Sequence, residues 1–339
     1  MTLVTFSQRY LSPLEAEMKS IVDSDDDRLA ALFGMLHYHL GWADRDFRPV
    51  TTAAGKRIRP MLCLLVCEAC GGSWEQALPA ATAIELLHNF SLIHDDIEDG
   101  DTKRRGRATL WTIWGEAQAI NAGDALFSLS QLALLRLIER GVPAATVVQA
   151  VTIFNTTCVA LTGGQHLDIG FEGQDDVTVA DYLAMVRGKT AALLTCTCQL
   201  GALIAGAEPA QREAVAQFGL NLGLAFQVRD DILGIWGDPA VTGKPAGADI
   251  ARRKKSLPVV HGLSVSAEFR ELLRQNTREA NEVSWATRLL EESGSRAFAE
   301  SLCAEYHAQA LEGLQRADLS GAAAEAIAAL TQTLLTRDY

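Results

Sequence analysis

Apolar residues recur at three- and four-residue spacing along most of the chain, and this pattern predicts helices. It is clearest over 29–40, 79–94, 117–140, 144–161, 179–207, 211–233 and most of 268–336. No segment shows a convincing strand alternation of apolar and polar residues. Gly and Pro separate the helical segments, and Pro79 is expected in the first turn of the helix that it opens. The pattern predicts one all-α domain over residues 1–339.

Two stretches without charged residues, 141–167 and 190–207, are long enough to raise the question of a membrane span. Both contain several Thr, Gln or Asn residues and continue directly into polar motifs. We therefore expect helices that are buried on all sides in a large bundle, and we predict no membrane span. Residues 1–15 have no basic segment leading into an apolar one, so no signal peptide is predicted.

The composition limits the classes of partner that the protein can bind and indicates the compartment in which it works. A chain of 339 residues with 48% hydrophobic content can bury a large core. Its 42 acidic and 30 basic residues give a net charge of −12, which disfavours a nucleic-acid partner. Cys63, Cys67 and Cys70 fall on one helical stripe, so we interpret the cysteines as small core residues of a protein in a reducing cytoplasm.

Two clusters of aspartates end apolar segments, and basic residues follow each cluster. The first is Asp95-Asp96-Ile97-Glu98-Asp99 and the second is Asp230-Asp231. On a helix, Asp95 and Asp99 stand on one face about 6 Å apart and can hold metal ions together. A solvated helix end is the alternative. Carboxylates, divalent cations and nearby Arg or Lys side chains are the chemistry of a metal-bound diphosphate.

Further polar residues point to the same kind of pocket. Lys56 and Arg59 are predicted on one helical face, and the overall acidity argues against a nucleic-acid patch there. His88 lies two helical turns before Asp95, so it is expected to point toward the phosphate pocket. A buried core histidine is the alternative.

These motifs, in this order, resemble the trans-isoprenyl diphosphate synthases, or polyprenyl synthetases. They are GKRIRP (55–60), LIHDDIEDGDTKRRG (92–106), GGQHLD (163–168), GKT (188–190), FQVRDDILGIWGD (226–238), GKPAGADI (243–250) and KKSLP (254–258). Several ordered motifs are far more specific than any one of them. The resemblance implies an all-α isoprenoid synthase-type helical bundle with a central substrate cavity, catalytic magnesium and a homodimer.

The resemblance also implies roles for single residues. Magnesium would be held by Asp95, Asp99 and Asp230, with Asp96 and Asp231 in support. The allylic diphosphate or the developing cation would face Arg104, Lys189, Thr190, Gln227, Lys244 and Lys254. Isopentenyl diphosphate would be held by Lys56, Arg59, His88 and Arg105. The length of the product would be set by Phe90, with Ser91 beside it and with Leu87 and Ile84 as the next barriers.

The chain departs from the family pattern at two places. Gly234 stands where the second aspartate motif usually has a further Asp, so that motif has one fewer carboxylate. Residues 107–111 lack the usual Pro and His.

The expected reaction joins isopentenyl diphosphate to an allylic diphosphate and gives the twenty-carbon geranylgeranyl diphosphate. A farnesyl diphosphate synthase is the first alternative. A class I terpene cyclase is less favoured, because it binds no second diphosphate and would not need Lys56, Arg59, His88 and Arg105. A non-catalytic partner subunit would not need both aspartate clusters.

Overall fold

The structure is a computed structural model that describes residues 3–50, 52, 55, 57–174, 176–239, 246–274 and 280–335. Helices account for nearly all of its elements, which confirms the all-α prediction. Contacts divide the chain into two compact units: residues 1–153, 197–208 and 320–327 form the first, and residues 154–196, 209–319 and 328–339 form the second. A single domain over 1–339 stays a prediction.

The elements of the first unit are α1 (Leu3–Ile21), a 3-10 turn (Asp27–Leu29), α2 (Ala30–Leu40), α3 (Ile58–Ala69), α4 (Trp74–Glu98), β1 (Lys103–Arg104), β2 (Arg107–Ala108), α5 (Leu110–Trp114) and α6 (Glu116–Leu135). The unit is centred on α4, which packs against α1, α3, α5 and α6. The helix α7 (Ala144–Phe171) contributes residues to both units.

The elements of the second unit include α8 (Val179–Val186), a π-helical turn (Arg187–Ala191), α10 (Pro209–Trp236), α11 (Ala248–Ala251), α12 (Leu257–Val265), α13 (Ala267–Arg274), α14 (Ala280–Glu292) and α15 (Ser295–Arg316). The unit is centred on α10, which packs against α8, α11, α12, α15 and the π-helical turn. Two further helices, α9 (Ala192–Ile204) and α16 (Gly321–Leu335), contribute residues to both units.

The start of α4 differs from the prediction. The helix begins at Trp74 after the N-cap Ser73, so Pro79 lies inside it and not in its first turn. Trp74 is buried and packs its ring 5.0 Å from that of Tyr10. The extra turn therefore gains apolar contact, while Pro79 removes only one hydrogen bond, to the Glu75 carbonyl. The prediction for Pro79 is wrong because tertiary packing outweighs the local signal.

The pair Gly163-Gly164 does not break α7, although glycine often ends a helix, because α7 continues to Phe171. A Cβ atom on Gly164 would lie 2.1 Å from the backbone nitrogen of Lys189, and one on Gly188 would lie 2.6 Å from the Ala160 carbonyl oxygen. Both glycines are therefore needed for close backbone contact between α7 and the π-helical turn.

The two uncharged stretches behave differently. Residues of α9 are buried or partly buried, as predicted, whereas α7 exposes Val148, Val159 and Ile169. Burial on all sides is therefore wrong for α7. Among the described helices, α7 is long and apolar enough to cross a membrane by length and composition, with 33% of its most apolar window buried. A single helix of this kind is weak evidence for a span.

One small hairpin was not expected from the sequence. The strands β1 and β2 pair antiparallel, with Arg104 opposite Arg107. Arg105 (φ 52) and Gly106 (φ 76) form the turn, and two successive positive φ angles are typical of two-residue hairpin turns. The turn fixes the position of Arg104 and Arg105 beside the end of α4.

Candidate active site

The end of α4 carries the first aspartate cluster. Asp95 and Asp99 are one helical turn apart, as predicted, and Asp99 caps the helix before Gly100 (φ 64) reverses the chain. The Asp95 side chain is 21% exposed, whereas that of Asp96 is only 3% exposed. Asp95 is therefore accessible to a ligand, and Asp96 faces the protein.

Arg104 links the hairpin to this cluster. Its Nε atom donates to Asp96 Oδ1 over 2.5 Å, and its Nη2 atom lies 3.5 Å from Asp95 Oδ2. Burial raises the pKa of Asp96 to about 6, although Arg104 acts in the opposite direction. Asp96 thus orients the guanidinium of Arg104 toward Asp95, as a supporting residue would.

A second group of cations lies along α3, α4 and the hairpin. Arg59 Nη1 lies 3.3 Å from His88 Nε2, and the Arg105 guanidinium lies 3.0 Å from the position of a Cβ atom on Gly55. Burial, Arg59 and Arg105 lower the pKa of His88 well below its usual value, so His88 is neutral. The structure therefore brings together three of the residues predicted to hold isopentenyl diphosphate. Lys56 lies outside the described residues.

The segment before Arg59 is anchored by a buried ion-pair network that sequence reasoning missed. Arg57 donates to Glu85 Oε1 over 2.6 Å and to Glu15 Oε1 over 3.0 Å, and Asn89 Nδ2 also donates to Glu85. Arg57 has a φ of 48°, and α3 begins only at Ile58. The shared helical face of Lys56 and Arg59 stays a prediction, because Lys56 lies outside the described residues. The sequence contained one indication of this ion-pair network, because Glu85 is the one acidic residue within 79–93.

Residues 107–111, which depart from the family pattern, have a structural role. Arg107 donates to the carbonyl oxygens of Tyr38 (2.8 Å) and Ala43 (2.7 Å) and lies 3.8 Å from the centre of the Tyr38 ring. Trp111 donates its indole N–H to the Asp101 carbonyl over 2.9 Å. These contacts fix the hairpin on α2 and on the segment that follows the first aspartate cluster.

In the second unit, α10 presents two unlike aspartates. Asp230 is exposed, whereas Asp231 is 1% exposed and is surrounded by donors. Its carboxylate accepts from Tyr182 Oη (2.5 Å), the Leu257 backbone nitrogen (2.8 Å) and Gln227 Nε2 (3.0 Å), with Lys254 Nζ at 3.7 Å. Asp231 therefore orients two of the residues predicted to face the allylic substrate.

The remaining predicted residues of this unit form one connected set. Lys189 pairs with Asp168 over 2.5 Å, and Thr190 donates to Gln227 Oε1 over 2.9 Å. Burial opposes the charge of Lys254, yet the surrounding carboxylates raise its pKa above the usual value; they belong to Asp231, Asp249, Asp230 and Asp168. The unit thus holds cations close to an acidic cluster. Lys244 lies outside the described residues.

The position of the missing aspartate is occupied by a different side chain. A Cβ atom on Gly234 would lie 2.2 Å from Asp249 Oδ2 and 2.9 Å from Asp249 Oδ1. Gly234 therefore makes room for the Asp249 carboxylate. Sequence reasoning missed Asp249, although it belongs to the quoted segment 243–250, because no local pattern joins it to Gly234.

The residues predicted to set chain length lie on different faces of α4. The Phe90 ring packs 5.2 Å from that of Phe127 on α6 and 4.8 Å from that of His94. Ser91 is one turn before Asp95 and shares its face, with Leu87 buried one turn further back. The structure does not test which of them ends the pocket, so the role of Phe90 stays a prediction.

Comparison with known proteins gives a consistent result. The sequence profile described as polyprenyl synthetase matches residues 42–291. The geranylgeranyl diphosphate synthase of Mycobacterium tuberculosis is 44% identical over 85% of this chain and 82% of its own length. A (2E,6E)-farnesyl diphosphate synthase of Mycobacterium bovis is 40% identical over 83% of this chain and 79% of its own.

A solved structure shows the same likeness. The crystal structure of a polyprenyl synthetase from Streptomyces coelicolor A3(2) superposes with a TM-score of 0.89 at 34% identity, over 98% of this chain and 100% of that one. The matched profile, the similar sequences and the fold therefore agree. The chain belongs to the polyprenyl synthetase family and is a trans-isoprenyl diphosphate synthase, a transferase of isoprenoid biosynthesis.

Proposed function

We propose that this protein condenses isopentenyl diphosphate with an allylic diphosphate, in the presence of magnesium, to give geranylgeranyl diphosphate. The observation that carries the proposal lies within the first unit. The accessible Asp95 with Arg104 forms one group, and the Arg59, His88 and Arg105 cluster forms another. Two groups suited to anions fit a reaction with two diphosphates better than a cyclisation, which uses one.

The second group is suited to isopentenyl diphosphate. Arg59 and Arg105 each place a planar set of N–H donors in a pocket where burial lowers their pKa. Mutual repulsion of these cations is relieved when a diphosphate enters. The neutral His88 adds a hydrogen-bonding group without adding charge. Together these side chains hold the diphosphate of isopentenyl diphosphate and thereby position its carbon end.

Each unit holds cations of the kind that act on the allylic diphosphate. In the first unit Arg104 lies against Asp95. In the second unit Lys189 is paired with Asp168, and neighbouring carboxylates raise the pKa of Lys254 above its usual value. These cations stabilise the negative charge that develops on the diphosphate as its C–O bond breaks. The alkene of isopentenyl diphosphate then attacks the allylic cation, and the departing diphosphate takes up the proton that is lost as the new alkene forms. Exclusion of water protects that cation from conversion to an alcohol.

The donor chemistry fits magnesium. Members of the family depend on divalent metal, and the candidate ligands are carboxylates, the hard oxygen donors that magnesium prefers. No group of three acidic, His or Cys side chains forms a ready-made cage within the described residues. Magnesium usually binds through one or two carboxylates together with substrate phosphates. When bound, it would neutralise the leaving diphosphate. Asp95 and Asp99 at the end of α4 would hold the metal in the first unit, and Asp230 offers a carboxylate of the same kind in the second unit.

The product assignment rests on α4. Ser91 is small and shares the face of Asp95, whereas Phe90 places a bulky ring one residue earlier. This combination, without inserted residues in the first aspartate cluster, resembles enzymes that stop near twenty carbons. The similarity to the Mycobacterium tuberculosis geranylgeranyl diphosphate synthase supports the same product.

The proposal includes a homodimer in the cytoplasm. Ile120, Leu132, Leu135 and Ile138 are 44–56% exposed along α6 and the turn after it. Such a row is suited to the apolar core of an interface between two copies. The seven free cysteines are compatible with a reducing compartment. Leu132→Asp should convert the dimer to a monomer in sedimentation velocity; a parent chain that sediments as a monomer would contradict the assignment.

Product identification tests the proposed reaction. The purified protein is incubated with magnesium, isopentenyl diphosphate and either dimethylallyl, geranyl or farnesyl diphosphate, and the dephosphorylated products are separated by chain length. We expect geranylgeraniol as the main final product. Farnesol alone would indicate the shorter synthase, a cyclic hydrocarbon would indicate a cyclase, and no product with any primer would indicate a non-catalytic subunit.

A further inference from the structure

A small cavity lies between the end of α2 and the hairpin of β1 and β2. Its volume is about 30 Å³, and the residues that line it include His39, Asp96, Arg104, Arg105 and Arg107. A cavity can hold an ordered water when it offers about 10–15 Å³ or more and two to four polar partners. This cavity therefore has the size and the polar walls of a water site.

His39 brings a buried nitrogen atom to the wall of this cavity. Its Nε2 atom is buried, and within the part of the chain that the structure describes no group forms a hydrogen bond with it. A buried polar atom without a partner is costly, so such atoms are usually paired with protein groups or with ordered water. Because His39 lines a cavity with room for water, a bound water is the partner that satisfies Nε2.

The charges around His39 indicate how such a water is held. Burial, Arg105 and Arg104 lower the pKa of His39 to about 3, so its ring is neutral and has one accepting nitrogen. A guanidinium group only donates hydrogen bonds, and three of them line the cavity. A water that accepts from an Arg side chain and donates to Nε2 joins the two groups and complements these donors.

Arg105 is the side chain whose position depends most on this water. It stands in the turn of the hairpin with a φ of 52°, and of the charged neighbours of His39 it lowers the pKa most. Arg104, by contrast, donates to Asp96 over 2.5 Å and lies 3.5 Å from Asp95. The orientation of Arg104 is therefore fixed by carboxylates, and the loss of one further contact should affect it less.

We propose that His39 is a positioning residue, which holds Arg105 through a water in this cavity in the orientation that receives the diphosphate of isopentenyl diphosphate. This role rests on the proposed binding of that substrate by Arg105. His39 itself does not touch the substrate. The base of the contact is fixed, because Tyr38 Oη donates to the Ala108 carbonyl over 2.9 Å and thereby ties α2 to the hairpin.

Substrate binding, measured by calorimetry, tests the proposal. Isopentenyl diphosphate is titrated into the protein without a primer, and farnesyl diphosphate is titrated separately with magnesium. His39→Leu keeps much of the side-chain volume but has no polar atom. We expect its dissociation constant for isopentenyl diphosphate to rise about three- to tenfold, as for the loss of one water-mediated hydrogen bond. The constant for farnesyl diphosphate should stay within about twofold of the parent value, because Arg104 keeps both carboxylates.

Two amide variants identify the atom that matters. The amide of His39→Gln extends to about the position of Nε2, whereas that of His39→Asn reaches only the position of Nδ1. We expect His39→Gln to bind isopentenyl diphosphate within about twofold of the parent and His39→Asn to bind it as weakly as His39→Leu.

The matched control is His37→Leu on the same helix. The Nε2 atom of His37 lies 2.8 Å from the Val22 carbonyl oxygen. Loss of this contact should lower the melting temperature while the binding of isopentenyl diphosphate stays unchanged.

The outcomes separate the role of His39 from the proposed function. No binding of isopentenyl diphosphate to the parent would overturn the proposed function. If the parent binds it, parent-like binding by His39→Leu overturns the role of His39. The role is also overturned if His39→Leu weakens both substrates equally, or if His39→Asn binds as tightly as His39→Gln. Should His39→Leu fail to fold, His39→Asn decides, and parent-like binding in that variant overturns the proposal.

Discussion

Tyr182 donates its phenolic hydrogen to Asp231 over 2.5 Å, and this contact distinguishes Asp231 from its neighbour Asp230. Burial and the Asp231 charge raise the pKa of Tyr182, so the phenol stays protonated and remains a donor. The Leu257 backbone N–H donates to the same oxygen, Oδ2. Asp231 therefore acts through the side chains that it orients, while Asp230 is accessible to a metal.

This difference predicts separate effects for two isosteric variants. Asp230→Asn should raise the magnesium concentration for half-maximal rate by about 10- to 100-fold, with little change in melting temperature. Asp231→Asn should lower the melting temperature, because buried donors lose their partner, and should change the magnesium requirement less. Magnesium titrations and thermal melts of both variants check this. An equal increase in the magnesium requirement for both would show that Asp231 is a direct ligand.

The buried pair of Arg57 and Glu85 should be important for stability. Both side chains are at most 4% exposed, so Arg57→Ala leaves Glu85 buried without its closest cation. Removal of one partner of a buried pair costs about 3–5 kcal/mol of unfolding free energy. The control is Arg296→Ala, because the pair of Arg296 and Glu300 is 45–47% exposed and should contribute less than about 1 kcal/mol. Urea unfolding measures both, and similar losses would contradict the burial argument.

The side chain of His39 should make stability depend on pH. Burial and the nearby Arg105 and Arg104 lower its pKa from about 6.5 to about 3. Between these values the unfolded chain binds a proton that the folded chain does not, so stability falls as the pH falls through this range. At pH 5 this effect amounts to about 2 kcal/mol. The parent should therefore lose about 2 kcal/mol more than His39→Gln between about pH 7.5 and pH 5 in urea unfolding.

His88 remains in both proteins, so its own lowered pKa cancels in that comparison. Equal losses for the parent and His39→Gln would show that His39 is protonated in the folded state.

Local sequence patterns predicted much of the fold and the grouping of the site residues. The three- and four-residue spacing located most of the helices, since periodicity reports which face of a helix is buried. The same spacing placed His88 and Asp95 on α4, with Asp99 at its C-cap. The family motifs grouped Arg59, His88 and Arg105, and the structure brings these three side chains together, while their role in binding stays a prediction.

The features that were missed depend on contacts between distant parts of the chain. Glu85 partners Arg57 from another helix, Gly164 approaches the π-helical turn, and Asp249 fills the space at Gly234. From its sequence neighbours alone, Glu85 is interpreted as an acid in an apolar helix, Gly164 as a helix break and Gly234 as a lost metal ligand. Tertiary contacts of this kind leave no periodic signal, so sequence spacing does not reveal them.

Product length tests the assignment on α4. Phe90→Ala should lengthen the product by at least one five-carbon unit with activity retained, because it removes the bulky ring beside Ser91. The comparison variant is Leu87→Ala, which enlarges the space one turn further from Asp95. Products are compared by chromatography after dephosphorylation. If Phe90→Ala makes the parent product and Leu87→Ala makes a longer one, the pocket ends at Leu87.

The central claim is that carboxylates at the end of α4 hold the metal that promotes ionisation of the allylic diphosphate. The most direct measurement is the turnover number of Asp95→Ala and of Asp99→Ala at saturating substrates and magnesium, with circular dichroism to confirm the helical fold. We predict that each variant keeps its helices and loses about 100-fold or more in turnover, because charge stabilisation in the transition state is removed. Near-parental turnover in either folded variant would contradict the account.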